Sequence, residues 1–369
     1  FTIYYKSSRE MPFGNGSAGA LMNHRIVPAM VLIGCFFGVA IHAAPPPAPV
    51  SRTGQTNCYT WTAPAVIPCA GTGQDGEILA GVAWPDPRFV SDGDGTVTDT
   101  LTGLAWSGDA DPDGGFTNWQ QALDRIKALN RRNYLGHDDW RLPNVNELES
   151  LVNKQFDLAA WLNSQGFRNV RKDQYWTSST YAAYSGCAWS VGMYSGIVAG
   201  RSKSEVGHAW PVRGARQGTL NLPKTGQTAC YDAAGAIGTC AGTGQDGESQ
   251  AGAAWPTPRF AENADRTVTD RLTGLVWSKD ANAPGPAVCN PGTRKAGPAA
   301  LDHVRCLNAN RYMGRTDWRL PNRNELASLV NHGQPDSAAW LNTQGFVDVQ
   351  AGGYWSSATH VPAPRKAWG

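Results

Sequence analysis

A long internal repeat constrains the fold of this chain more than any other feature of its sequence. T-G-Q-T-N-C-Y at Thr53 returns as T-G-Q-T-A-C-Y at Thr225, and C-A-G-T-G-Q-D-G-E at Cys69 returns unchanged at Cys240. Further motifs recur in the same order: T-V-T-D at Thr96 and Thr267, L-T-G-L at Leu101 and Leu272, W-R-L-P-N at Trp140 and Trp318, and W-L-N at Trp161 and Trp340. A repeat this long indicates two tandem globular domains, because solenoid repeats are far shorter.

The repeat divides the chain into copy one at residues 53–216, a linker at 217–224 and copy two at 225–369. Copy two stops early, since Trp368, its counterpart of Trp189, is followed by a single residue. We therefore expect copy two to be C-terminally incomplete and to lack the closing strands of copy one.

The N-terminal region predicts export. Met22 opens a short basic segment, and an apolar run, small residues and prolines follow, which is the order of a secretory signal peptide. We expect cleavage after Ala43, with residues 1–21 as upstream read-through and 44–52 as a Pro-rich linker. The apolar run is too short for a membrane span. Cys35 lies in a sequence that resembles a lipoprotein cleavage box, so lipid anchoring is an alternative to a secreted or periplasmic protein.

The mature chain is expected to carry no net charge. Cleavage removes Lys6, Arg9, Arg25 and Glu10, which leaves equal numbers of acidic and basic side chains. Duplex-binding domains carry a clear basic excess. The composition therefore argues against a nucleic-acid partner.

The cysteines fit an oxidising compartment. The repeat predicts the disulfides Cys58–Cys69, Cys230–Cys240 and, across an insertion found only in copy two, Cys289–Cys306. Cys187 is left over, and an odd cysteine in an exported protein is a potential free thiol. No pair has C-x-x-C spacing, so we expect no zinc site.

Short strands and a pair of helices are expected in each copy. In copy one the strand signals fall at 88–90, 96–99, 104–107, 175–177, 188–193, 197–199 and 209–213. Apolar residues at helical spacing from Trp119 onward predict one helix, with Thr117 as its cap and Gln120 as the capping-box partner. A second helix is expected with Asn144 as its N-cap and Glu147 at its third position. Strand-rich segments around a helix pair define an α+β domain.

The repeated motifs are also those of a known family. G-D-G-T-V-T-D-x-L-T-G-L-x-W from Gly93, W-R-L-P-N-x-N-E-L from Trp140, Y-W-T-S-S from Tyr175 and a closing P-V-R from Pro211 occur in this order. Together they resemble the Lcl C-terminal domain family, named for the C-terminal domain of a Legionella collagen-like adhesin. The resemblance implies tandem C-type-lectin-like domains in a secreted or surface protein, with short antiparallel strands around two helices.

In that adhesin the domain is implicated in binding sulfated glycosaminoglycans. This chain departs from the adhesin because it has no Gly-X-Y collagen stalk. The W-R-L-P element is also similar to that of formylglycine-generating enzymes, which share the fold class.

Residues that suggest catalysis have structural explanations. Glu147 caps its own helix, and Arg141 is expected to pair with a nearby carboxylate. A formylglycine-type oxidase needs two reactive cysteines near the end of the domain, whereas copy one has only Cys187 there and copy two has Lys366. Tryptophans shared by both copies are expected in the core, because each buries a large apolar area: Trp84/Trp255, Trp106/Trp277, Trp140/Trp318, Trp161/Trp340, Trp176/Trp355 and Trp189/Trp368.

Asp109, Asp111 and Asp113 have the acidic spacing of a calcium loop. The position at which an EF-hand needs Glu holds Gln120, and copy two loses the pattern. We expect no cofactor, with calcium in copy one as the alternative.

Charge is divided along copy one. Residues 75–124 hold ten acidic side chains and one basic, whereas residues 168–216 hold seven basic side chains and two acidic ones. Arginine pairs bidentately with sulfate or carboxylate, and tyrosine adds flat amphipathic area. An edge whose charges are balanced by the acidic half is the alternative interpretation. The expected ligand-binding residues are Tyr181, Tyr184, Tyr194, Arg201, Lys203 and His208.

The sequence thus predicts a secreted or cell-surface adhesion module, without catalytic activity, that binds carbohydrate, including anionic glycans. Recognition of a host or cell-surface protein through the same loops is an alternative, as is a structural, calcium-stabilised envelope role. A modifying enzyme with a site near Cys187 and His208 is the alternative from a different class.

Overall fold

The computed structural model describes residues 44–61, 65–214 and 216–360, together with the backbone of strand β1 (Tyr5–Lys6). The expected signal peptide, its cleavage after Ala43, the alternative anchor at Cys35 and the copy-two residue Trp368 lie outside these residues. In the part of the chain that is described, no helix is long and apolar enough to cross a membrane.

Copy one combines short strands with short helices. Its strands are β2 (Cys58–Tyr59), β3 (Val66–Ile67), β4 (Phe89–Ser91), β5 (Thr96–Asp99), β6 (Leu104–Ser107), β7 (Gln174–Thr180), β8 (Cys187–Gly192), β9 (Ile197–Ser202) and β10 (Val212–Gly214). Its helices are α1 (Asp75–Ile78), α2 (Trp119–Arg131), α3 (Val145–Ser150) and α4 (Leu158–Ser164), with a 3-10 turn at Tyr134–Gly136.

Copy two repeats this order as far as α8. Its strands are β11 (Cys230–Tyr231), β12 (Ile237–Gly238), β13 (Phe260–Glu262), β14 (Thr267–Asp270), β15 (Val276–Ser278) and β16 (Trp318–Arg319). Its helices are α5 (Asp246–Ser249), α6 (Gly297–Ala309), α7 (Arg323–Ser328) and α8 (Ser337–Asn342), with 3-10 turns at Ala287–Cys289 and Tyr312–Gly314.

The sheets are small and antiparallel. In copy one they run in the orders β10-β6-β5-β4 and β7-β8-β9, and in copy two the larger sheet runs β13-β14-β15-β1-β16. The first expected strands of copy one agree with the structure to within a residue, and β7 and β9 extend three residues further than predicted. The mixed α+β fold with short antiparallel strands is therefore confirmed.

The helix caps show where local sequence signals are reliable. Asn144 caps α3 through the predicted capping box with Glu147. The predicted cap of α2 is wrong by one residue, because Asn118 accepts from the backbone of Gln121 and Gln121 returns the bond. Thr117 instead pairs with the strand-like segment at Gly207.

Alternate side chains of sheet β7-β8-β9 enter two cores, as the period of a strand requires. Tyr175 and Val191 pack with α3 and α4, whereas Trp176 and Ala188 pack with α2. The predicted core position is confirmed by full burial of Trp106, Trp140, Trp176, Trp277 and Trp318, while Trp84, Trp161, Trp189, Trp255, Trp340 and Trp355 are partly buried.

All three predicted disulfides are present, at Cys58–Cys69, Cys230–Cys240 and Cys289–Cys306. Cys187 is the free, half-buried cysteine of the described residues.

The N-terminal part of each copy, together with the linker before it, packs on the rest of the other copy. We name residues 44–83 arm one, 217–254 arm two, 84–214 body one and 255–360 body two. Both predicted linkers belong to these arms and are packed against a turn. The N–H of Ala48 donates to Leu272 O (2.9 Å) in body two, and the N–H of Leu220 donates to Leu101 O (3.0 Å) in body one.

The two arms dock by matching contacts. In arm one, the amide of Gln55 exchanges two hydrogen bonds with the backbone of Thr359, at 2.9 and 2.8 Å. In arm two, Gln227 exchanges the same two bonds with Thr180, at 2.8 and 2.9 Å. The interface between the copies is therefore reciprocal, as in an isologous dimer.

Candidate functional site

An aromatic surface lies at one edge of sheet β7-β8-β9. Trp189 of β8 pairs with Gly200 of β9, so both residues share one face of the sheet. The ring of Tyr181 lies 4.5 Å from the ring of Trp189 and 5.6 Å from that of Tyr184, measured between centroids. Tyr184 is 68% exposed. We name Tyr181, Tyr184 and Trp189 the aromatic face.

Backbone contacts hold this face in place. A Cβ on Gly200 would lie 2.3 Å from Cδ1 of Tyr181, so only glycine leaves room for that ring. The N–H of Tyr181 donates to Cys187 O (2.9 Å), and the N–H of Cys187 donates to Tyr184 O (2.7 Å). The rings are therefore positioned by the turn between β7 and β8 without help from a ligand.

The aromatic face forms one wall of a cleft of about 620 Å³ between the copies. His332 of body two meets Trp189 edge to face, with centroids 5.3 Å apart.

The opposite wall is apolar because it is made of core positions. Leu326 and Leu341 line it, whereas their copy-one counterparts Leu148 and Leu162 are fully buried in the core that contains Val191 of β8. In copy one β8 covers the equivalent helices, and the copy-two residues that align with β8 begin at Lys366, outside the described residues, so the volume of this cleft is not assigned to a ligand.

The other predicted ligand-binding residues do not join the aromatic face. Arg201 pairs in register with Ala188, which places it on the opposite face, where it bonds to Glu205 and lies over Trp176. Tyr194 is 47% exposed, and its hydroxyl accepts from the amide of Gln174 at 3.0 Å.

Lys203 is buried in the contact between body one and arm two. Its Nζ donates to the backbone carbonyl of Asp232 (2.9 Å) and lies 4.1 Å from the ring centre of Trp119. Burial lowers the pKa of Lys203 to about 8. The structure thus gives this residue a place in the copy–copy contact and does not present it at the surface.

His208 is also buried. Its Nδ1 lies 3.3 Å from the carboxylate of Asp111, and its ring packs between Phe116 (4.7 Å) and Tyr175 (5.1 Å). The sequence predicts His208 near a ligand because this residue lies close to the closing strands. In the structure its backbone pairs with Tyr175 and its side chain is buried in the domain.

Most of the basic segment is neutralised by carboxylates. The pairs are Arg168–Asp109, Lys172–Asp157, Arg201–Glu205, Arg213–Asp139 and Arg216–Asp92. The charge-balanced edge, given as the alternative to an anion-binding surface, therefore describes these side chains.

The candidate calcium residues each have another partner. Asp109 accepts from Asn169 at 3.1 Å and pairs with Arg168, Asp111 faces His208, and Asp113 pairs with Arg132. Among the described residues, no group of three or more His, Cys, Asp or Glu side chains is arranged to hold a metal ion.

The W-R-L-P arginine pairs with a carboxylate, as predicted, and that carboxylate belongs to Glu147, which caps its own helix. Arg141 binds both carboxylate oxygens of Glu147 at 2.5 Å, and Glu147 accepts from the backbone N–H of Asn144 at 2.9 Å. Burial lowers the pKa of Arg141, and the Glu147 carboxylate raises it. The net result is a raised pKa for Arg141. Cys187 and His208, the residues of the enzyme alternative, have separate surroundings, since His208 faces Asp111 and Cys187 lies on β8 opposite Ser202.

The charged groups that lie between the two copies are not predicted from the sequence. Glu149 of body one contacts Arg323 of body two at 3.2 Å and Lys154 at 3.8 Å. Burial lowers the pKa of Lys154 to about 7 and that of the neighbouring His332 to about 4. Lys154 and His332 occupy aligned positions of the repeat, but nothing in the sequence shows that helices α3 and α7 meet.

Each arm also inserts a carboxyl group into the other copy. Asp246 accepts from Ser179 (2.6 Å) and Thr225 (2.7 Å), and burial raises its pKa to about 6. Asp75 accepts from Thr53 (2.5 Å), and burial raises its pKa to about 7. The repeated Q-D-G-E motif was the available signal for these residues.

The geometry defines a tandem α+β protein with disulfides inside each copy and an aromatic surface on copy one. Residues 95–213 and 266–369 match the Lcl C-terminal domain. Because these segments cover more than half of the chain, the protein belongs to the Lcl C-terminal domain family. The two matched segments include neither arm one nor arm two. No curated protein matches the chain.

Proposed function

We propose that this protein is a secreted or cell-surface adhesion module that binds carbohydrate through its aromatic face, without catalysis. The observation that carries the proposal is the set of three adjoining rings, Tyr181, Tyr184 and Trp189. Membership of the Lcl C-terminal domain family is compatible with adhesion. The disulfides are consistent with an extracellular location.

The chemistry of an aromatic surface suits a sugar ring. A pyranose has an apolar C–H face that packs on a flat ring, and its hydroxyls are met by the polar edge of tyrosine. Because Gly200 and the β7–β8 turn already fix Tyr181, little side-chain freedom is lost on binding. This preorganisation lowers the entropic cost of binding a small ligand and so favours its affinity.

A neutral glycan fits this face better than an anionic one. Arg201 lies on the opposite side of the sheet and is paired with Glu205, and Lys203 is buried against arm two. An anionic glycan would have to displace existing ion pairs, which costs part of the binding energy.

Protein recognition is the second candidate, and exposed apolar side chains on another surface support it. Phe116, Ile197 and Val206 are 53%, 39% and 50% exposed. Large exposed apolar residues of this kind are typical of the cores of protein interfaces.

The test is binding of the full chain to neutral glycans and to heparin at low and high salt. We expect binding to a neutral glycan that is little affected by salt and is weakened by about tenfold or more in Tyr184→Ala. Tyr194→Ala, which removes an exposed tyrosine from the opposite side, is the matched control and should bind normally.

Two other outcomes would overturn the proposal. Heparin binding that falls steeply with salt and is lost in Arg201→Ala would assign an anionic glycan to the opposite face. Failure to bind any glycan would remove the carbohydrate function and leave protein recognition.

A further inference from the structure

The two arms dock through the same contacts but differ at one position, which is half-buried in arm one and exposed in arm two. Counted from the aligned cysteines Cys58 and Cys230, arm one has Trp61 where arm two has Ala233. An indole and a methyl group cannot fill the same space. The bodies that receive the two arms must therefore differ as well.

The difference in the bodies lies at the first residue of the long helix. Helix α2 begins with Trp119 and α6 with Gly297, and the two residues align without a gap up to Trp140 and Trp318. Trp119 is fully buried, and its Nε1–H donates to Thr177 O at 2.7 Å. Body one thus supplies its own indole at this position.

In body two the arm supplies the indole. A Cβ on Gly297 would lie 2.6 Å from Cζ3 of Trp61, so the arm residue occupies the side-chain space of the helix residue. The ring of Trp61 meets that of Trp355 edge to face, with centroids 6.5 Å apart.

The surroundings of the two indoles are equivalent. Trp355 donates its Nε1–H to Lys295 O at 2.8 Å, two residues before the start of α6. Its counterpart Trp176 donates to Thr117 O at 3.0 Å, two residues before the start of α2. Trp176 shares a core with Trp119, as Trp355 shares one with Trp61.

We propose that Trp61 makes arm one a docking element selective for a body with glycine at the start of its long helix. Arm one on body one would place two indoles, those of Trp61 and Trp119, in one volume. Arm two on body two would leave the space beside Gly297 empty. Mismatched pairs are therefore disfavoured by overpacking in one case and by a cavity in the other.

This selectivity determines which body arm one packs on. Arm two follows body one directly and reaches it without a long connection. Arm one is separated from body two in sequence by body one and arm two. Body one also presents at Thr180 the same backbone hydrogen-bonding groups that body two presents at Thr359. The partner of arm one is therefore body two, in the same chain or in a second copy of the chain, and never body one.

A double-substitution cycle in the full chain tests the proposal. Trp61→Ala leaves a cavity, Gly297→Trp adds a second indole, and the two changes together rebuild the pairing of arm two with body one. Hydrogen exchange of the Thr359 amide, which donates to the side chain of Gln55, reports docking of arm one. The Thr180 amide, which donates to Gln227, reports docking of arm two and is the internal control.

We expect each single variant to speed exchange at Thr359 by about tenfold or more, and the double variant to recover most of this protection. Exchange at Thr180 should stay unchanged throughout. If Gly297→Trp does not fold, Gly297→Ala introduces the same clash with Trp61 at the smallest size.

Effects of the two changes that simply multiply would overturn the proposal. So would unchanged protection of Thr359 in Gly297→Ala.

Discussion

Asp75 should make the stability of the protein depend on pH. The residue is 2% exposed, and burial raises its pKa from an ordinary value of 3.8 to about 7. The pKa of Asp75 is higher in the folded state than in the unfolded state. The contribution of this carboxyl group to stability is therefore complete below pH 4 and is lost as the pH rises to about 7. A shift of about three units corresponds to about 4 kcal/mol. Asp75→Asn keeps the shape of the side chain and removes its charge. The variant should therefore gain up to about 4 kcal/mol relative to wild type between pH 4 and pH 7.5.

Unfolding in guanidinium chloride at a series of pH values, followed by tryptophan fluorescence with the disulfides intact, measures this difference. Asp86→Asn changes an exposed carboxylate and is the control, with an expected effect within about 0.5 kcal/mol at every pH. A stability difference between Asp75→Asn and wild type that does not change with pH would refute the reasoning.

Asp246 is the matched comparison within the same chain. It accepts from both Ser179 and Thr225, whereas Ala358 replaces the serine in copy two, so Asp75 has one donor fewer. Hydrogen bonds to a carboxylate favour its charged form, which is why the pKa of Asp246 rises less, to about 6. Asp246→Asn should gain about 3 kcal/mol over the corresponding pH range.

Three shorter predictions follow from the fold. Gly200→Val should displace the ring of Tyr181 and weaken glycan binding without unfolding the domain, as checked by binding and circular dichroism. Asn118→Ala should cost about 1 kcal/mol in the free energy of unfolding through the lost cap of α2, more than Thr117→Val. Replacing both cysteines of the copy-two insertion by serine opens a loop that spans 17 residues and should cost about 3 kcal/mol, measured by thermal unfolding.

Local features of the fold could be read from the sequence. The capping box at Asn144, the turns that separate β4, β5 and β6, and the disulfide pairs each depend on residues close together in the chain. The cap of α2 was placed one residue early because Thr117, Asn118 and their partners three residues on all fit the same pattern. Only the backbone bond of Thr117 to Gly207, distant in sequence, decides between them.

The candidate site was predicted only in part for a similar reason. Tyr181 and Tyr184 are predicted because they are interleaved with the basic side chains of residues 168–216, where tyrosine adds flat amphipathic area. Arg201, Lys203 and His208 were grouped with them by nearness in sequence, but alternate residues of a strand point to opposite faces. A shift of one position in the register of β9 exchanges the two faces, and the sequence does not fix that register.

The arms show a limit that applies to any tandem repeat. Identical motifs, such as the C-A-G-T-G-Q-D-G-E of each arm, make the same contacts whether an arm packs on its own body or on the other one. A repeated sequence therefore predicts the docking surface without predicting which copy docks where. Positions where the copies differ show which arm packs on which body. Such a position is informative only together with the residue that it contacts in the body. Trp61 and Gly297 are such a pair, since the indole of arm one occupies in body two the side-chain space that belongs to the helix residue, which in body one is Trp119.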